Sequence, residues 1–98
     1  MNTINQTSEF AEWLRRLVDK KAKARIAARI NAATVGNFGD AKPVGNGISE
    51  MRIDFGPGYR IYYTRIGSIV YVLLCGGDKS SQRADIMKAK ALAEGFKP

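Results

Sequence analysis

The chain has 98 residues, 45% of them apolar and only three of them proline, so it can bury one core but not two, and a single domain over residues 1–98 is expected. Sixteen Lys and Arg against nine Asp and Glu leave a formal charge of +7, an excess that favours nucleic acid or an acidic protein as partner and equally serves solubility. Cys75 is the only cysteine and histidine is absent, which excludes an internal disulfide, His-based metal sites and Ser-His or Cys-His nucleophilic pairs.

Residues 2–6 (NTINQ) are short and weakly patterned and read as an edge strand. From Ser8, an N-cap candidate, Phe10, Trp13, Leu14, Leu17 and Val18 recur at helical spacing. A second series, Ala22, Ile26, Ile30 and Ala33, steps by helical intervals while Lys20, Lys21, Lys23, Arg25 and Arg29 fill the remaining surface. The break at Asp19-Lys20 predicts a helix hairpin. Its cations are read as a solvated face before they are read as a nucleic-acid patch.

Residues 35–47 (VGNFGDAKPVGNG) are rich in Gly and Asn and include Pro43, so they are expected to form a long loop. Neither GK[ST] nor GxGxxG spacing occurs there, which argues against a phosphate-binding loop of those types. The period then changes from helical to two. Segments 48–55, 59–66 and 69–75 are rich in β-branched and aromatic residues and are separated by Gly56-Pro57-Gly58 and Gly67-Ser68. They predict a three-stranded antiparallel meander. Residues 76–81 read as a turn, and 82–94 as a basic helix capped by Ser80 or Ser81. No apolar run approaches the ~20 residues that span a bilayer, and a cytoplasmic protein with no membrane partner is expected.

Alternation sorts the strand residues onto two faces. With Phe55 and Tyr59 paired across a short turn, Ile53 is expected opposite Ile61, Asp54 opposite Arg60, and Arg52 opposite Tyr62. Met51, Ile53, Phe55, Tyr59, Ile61 and Tyr63 then share an apolar face. Glu50, Arg52, Asp54, Arg60, Tyr62 and Thr64 share the other. A two-residue Gly67-Ser68 turn of type II′ would add Leu74 beside Ile61 and Val72 beside Tyr63 on the apolar face, with Leu73 beside Tyr62 and Cys75 beside Arg60 on the other. Lys79 is expected to approach the same end.

Such a face suits phosphoryl chemistry, because guanidinium groups hold phosphate bidentately and cations stabilise charge gained at phosphorus. RNA carries its own nucleophile, the ribose 2′-OH, and its attack requires in-line alignment, charge stabilisation and proton transfer but no metal or other cofactor. Arg52, Arg60, Lys79 and Asp54 are therefore the candidate catalytic residues. Tyr62, Lys42 and Arg83 are candidate RNA contacts, Tyr62 as a stacking platform. The bland alternative is a solvated sheet face with a weak Asp54–Arg60 ion pair.

The segments EFAEWLRRLVDKKAKARIAARI, GNFGDAKPVGNGISEMRI, GPGYRIYY and LLCGGDKSSQRADI, in this order and over nearly the whole chain, resemble the RelE/ParE toxin superfamily in its HigB-like, phage-type branch of addiction module killer proteins. The resemblance implies an α+β fold, with an N-terminal helix hairpin on a small antiparallel sheet and a C-terminal helix. It implies the toxin of a type II toxin–antitoxin system that cuts mRNA in the ribosomal A site without a metal. The implied partners are the ribosome, mRNA and a cognate antitoxin, a small helix-turn-helix protein. By position, Arg60 in GYR matches the phosphate-contacting arginine, Arg52 falls near a strand lysine, and Lys79 matches the basic residue after the last strand. Asp54 stands near where the RelE pattern has a second lysine, and the C-terminal helix lacks that pattern's tyrosine. These departures keep open a ParE-like alternative, a non-enzymatic inhibitor of DNA gyrase.

Overall fold

A computed structural model describes residues 1–97. The elements run β1 (Thr3–Gln6), α1 (Ser8–Arg16), α2 (Lys20–Thr34), β2 (Ala41–Gly45), β3 (Ile48–Ile53), β4 (Tyr59–Arg65), β5 (Val70–Asp78) and α3 (Gln82–Ala93). The α+β reading holds, with the helix hairpin on one face of the sheet and α3 on the other. The sheet, however, has five strands among the described residues, in the order β1-β5-β4-β3-β2. Residues 2–6, read as an edge strand, supply the edge strand β1, parallel to β5; the unexpected strand is the opposite edge, β2, which lies inside the segment expected to be a loop. Pro43 is tolerated in β2 because an edge strand has one set of backbone groups with no partner to satisfy.

Local chemistry sets the helix ends. Thr7, not Ser8, caps α1: its Oγ1 accepts from the Phe10 N–H at 3.0 Å and donates to the Leu74 carbonyl at 2.6 Å, which ties the helix start to β5. Leu17 closes α1, and the Asp19 carboxylate accepts from the N–H groups of Lys21 and Ala22 to open α2. Val18 falls between the helices and is exposed, so it does not extend the apolar stripe of α1. Phe10, Ala22, Ile26 and Ala33 pack on Met51, Ile53, Tyr59, Ile61, Tyr63 and Leu73, with Phe55 partly buried beside them. The expected apolar face is therefore the face the hairpin covers.

The register departs from expectation in two places. Ile53 pairs with Tyr59 and Arg52 with Arg60, two residues displaced from the expected pairing, so the connection is a five-residue loop over 54–58 and Asp54 is not paired with Arg60. The displacement is even, so each residue keeps its face. In the second hairpin no two-residue turn pairs Ile66 with Ile69; the Ile66 N–H donates to the Val70 carbonyl, and Arg65 pairs with Tyr71. A bulge then leaves Leu74 unpaired between Tyr62↔Cys75 and Tyr63↔Leu73. Beyond it the alternation is inverted. Leu73 enters the hairpin core, whereas Val72 and Leu74 join Cys75 under α3, the reverse of the expected sorting.

Residues 76–78 continue β5 and do not form a turn. The two glycines stand where side chains approach the strand closely from opposite sides. A Cβ on Gly76 would lie 2.3 Å from the Trp13 ring, and one on Gly77 would lie 1.8 Å from the Asp85 carboxylate of α3. Asp78 caps the 3₁₀ turn Lys79–Ser81 that leads into α3, and hydrogen bonds from the Ser80 hydroxyl and N–H hold its carboxyl below the usual range. Ser81 occupies the cap position of α3 without a capping bond and instead donates to Asp85.

Candidate functional site: a cationic cleft at the end of the sheet

Arg52 on β3 and Arg60 on β4 are direct cross-strand partners. Lys79 follows β5 where Gly77 pairs with Arg60 and Asp78 with Tyr59, so all three cations meet at one end of the sheet. They line an open cleft of about 340 Å³ together with Asp40, Ile53, Asp54 and Gly58. Its three cations outnumber its two carboxylates by one.

Like charges directly opposed across a sheet repel, and each arginine here has its own carboxylate. Arg52 is a half-exposed partner of Asp40 at 2.9 Å. Arg60, with its side chain 13% exposed, lies 3.4 Å from Glu50, which is completely buried. Glu50 Oε2 also accepts from the Tyr62 hydroxyl at 3.1 Å and from Gln82 Nε2 at 2.7 Å. Burial, and secondly the Glu50 charge, push the Tyr62 phenol well above its usual range, so it stays protonated and donates. Among the described residues the Arg60 Nε is buried with no partner.

Four expected site residues, Arg52, Asp54, Arg60 and Lys79, thus share the cleft, although the Asp54–Arg60 cross-strand pair does not form. Tyr62 is a correction. Its ring is fully buried beneath α3, and it offers no stacking surface to a base. Lys42 is exposed on β2 opposite Glu50, and Arg83 is exposed on α3 in a groove with Gln82, Ile86, Met87 and Lys90; neither lines the cleft. The face expected to be solvated around Glu50 and Tyr62 is covered by α3, whose Ala89 and Ala93 are small enough to bring it close.

Sequence reasoning missed Asp40, Arg29 and the role of Glu50. Arg29, read as a solvated cation of α2, donates to the carbonyls of Phe38, Asp40 and Arg52 and so pins the segment bearing Asp40 against the end of β3. Gly39, with φ of 64°, allows this approach, since a Cβ there would meet the guanidinium at 2.9 Å. No motif signals that contact. Glu50 was detectable through alternation, which placed it beside Arg52, Arg60 and Tyr62.

A larger hollow of about 520 Å³ lies between the start of α1 and Cys75-Gly76, with Glu9, Glu12, Arg16 and Lys88 around it. Its charges are mixed, and burial, aided by Asp85, pushes the Cys75 thiol up to about 12, which removes it as a nucleophile near neutral pH. The convergent cations make the smaller cleft the candidate site.

No protein-family model matches the chain. An uncharacterized protein of Haemophilus influenzae is 50% identical over 91 residues, spanning 93% of this chain and 92% of that protein. Among solved structures, the isolated E. coli RelE toxin superposes with a TM-score of 0.66 at 13% identity, covering 90% of this chain and 97% of the toxin. A chain of the intact E. coli RelBE toxin–antitoxin complex gives 0.66 at 12% identity, covering 80% and 96%. The chain belongs to one family with the Haemophilus influenzae protein, and its fold is the RelE/ParE fold.

Proposed function

We propose that this protein is the toxin of a type II toxin–antitoxin pair, of the HigB-like kind, and that it acts as a ribosome-dependent mRNA endoribonuclease. The observation that carries the reading is the placement of Arg52, Arg60 and Lys79 around one open cleft on a RelE-like fold. In this reading the guanidinium groups hold the scissile phosphate and offset the charge it gains as the ribose 2′-oxygen attacks phosphorus. The P–O5′ bond breaks to leave a 2′,3′-cyclic phosphate. Asp54 takes the 2′-hydroxyl proton and Lys79 supplies one to the departing 5′-oxygen. The ribosome aligns the strand. A small helix-turn-helix antitoxin neutralises the toxin by covering the cleft with an acidic or amphipathic segment.

The test is controlled expression with mapping of mRNA 5′ ends. New ends at fixed codon positions, growth arrest, and relief of both by Lys79→Ala or Arg52→Ala are expected, each substitution lowering cleavage by about 10²-fold. These two side chains are accessible, so their removal spares the core. The presence of Asp54 where a further cation would serve phosphate better favours a second reading, a ParE-like gyrase inhibitor. Intact transcripts with accumulating gyrase–DNA adducts would establish it in place of cleavage.

A further inference from the structure

We infer that Glu50 is a positioning residue, which holds the Arg60 guanidinium at the cleft floor and separates it from Arg52. Its kinetic consequence rests on the proposed cleavage activity; its structural consequence does not. A fully buried carboxylate in a sheet centre is costly unless paired, and apolar residues of similar volume commonly serve as well for stability. Glu50 is completely buried on β3 with Ile48, Leu74 and Cys75 among the packed residues of that face. Its carboxylate nevertheless gathers donors from two further elements: Arg60 and Tyr62 of β4, and Gln82 of α3.

The two oxygens divide the work. Oε2 is held by Tyr62 and Gln82 at 3.1 and 2.7 Å, which fixes the carboxylate and leaves Oε1 for Arg60 at 3.4 Å. That single contact engages one of the guanidinium's five N–H donors among the described residues, and Nε is buried with no partner. Arg60 is thus anchored but far from saturated. Arg52, its cross-strand partner, is drawn instead to Asp40 on the β2 side. The two carboxylates pull the two like charges apart, and both arginines line the cleft.

The test uses the full chain with ¹⁵N-labelled arginine. Slow rotation of an anchored guanidinium gives resolved Nη signals, assigned to Arg60 by their loss in Arg60→Lys. In Glu50→Gln these should collapse to the averaged signal of exposed Arg83, and in a purified translation system kcat should fall by about 10²-fold at unchanged KM, the effect of misplacing a reacting group by about 1 Å. Averaged Arg60 signals in the unmodified protein overturn the inference, as does a folded Glu50→Gln chain in which either the signals or kcat are unchanged. If the unmodified protein cleaves nothing, the endoribonuclease reading fails, and the spectra alone decide the role of Glu50. Should Glu50→Gln fail to fold, Gln82→Ala removes one holder of the carboxylate from the half-buried start of α3; faster Nη interchange is then expected, and unchanged interchange overturns the inference.

Discussion

The two faces of the sheet are closed by helices in different ways. Under the α1–α2 hairpin the contacts are aliphatic and aromatic, and Phe38 stacks on Tyr63 with ring centroids 5.0 Å apart while also meeting Tyr71 at 4.9 Å. Under α3 the apolar layer of Ile48, Val72, Leu74, Ala89 and Ala93 gives way at one end to Glu50, Tyr62, Gln82 and Arg60, and the cleft begins there. The contrast teaches that alternation assigns a residue to a face but does not say whether that face is wet. One face is held by volume, and the other partly by matching donors to a buried charge.

Substitutions that treat the faces differently test this contrast, and the largest effect is expected on the hairpin side. Phe10→Ala should cost about 3–5 kcal/mol in equilibrium denaturation, through lost burial and the cavity left behind. On the α3 side, Glu50→Ala should cost about 3 kcal/mol because it strands the mostly buried Arg60 charge, whereas the double change Glu50→Leu with Arg60→Met should recover most of that stability and, on the proposed toxin reading, still abolish growth arrest. A double variant as unstable as Glu50→Ala would show that the polar end is held by shape and not by charge pairing.

Smaller effects separate the adjacent glycines. Gly76→Ala pushes a Cβ into the packed Trp13 ring and should cost about 1–3 kcal/mol. Gly77→Ala meets the Asp85 carboxylate and the Ser81 hydroxyl, side-chain ends that can swing away at the loss of the hydrogen bond between them, so its cost should be about 1 kcal/mol. Equal losses in thermal or denaturant unfolding would contradict the asymmetry. The smallest effect is expected at Asp78, where Asp78→Asn weakens the cap before α3. The folded-state pKa of Asp78 is depressed, so its contribution is present above the unfolded value of about 4 and is lost as pH falls through the lower folded value. The variant's stability should therefore fall less steeply below pH 4 than that of the unmodified protein.

Much of the fold is legible in the residues. Helical spacing located both members of the hairpin, and period-two alternation placed Met51, Ile53, Phe55, Tyr59, Ile61 and Tyr63 on the hairpin side despite a pairing displaced by two. The same parity put Arg52 and Arg60 together; Lys79, expected near them from a turn after Cys75, reaches the cleft because β5 runs on to Asp78. What escaped was non-local. Strand β2 is written in Ala41, Lys42, Pro43, Val44 and Gly45, a composition that reads as loop, and it becomes a strand through its pairing with β3. The bulge at Leu74 inverts the side chains beyond it without any local signal.

Residue order by itself determined the periodicities, the turn-prone breaks and the parity that brings the cations to one surface, because these depend on the geometry of a single chain segment. Only the tertiary structure decided that α3 closes over Glu50 and Tyr62, that Arg29 ties the segment before β2 to β3, and that the cationic surface narrows to a cleft. Those outcomes depend on the fit of volumes and on partners for buried polar groups, and both are properties of segments brought together from distant parts of the chain.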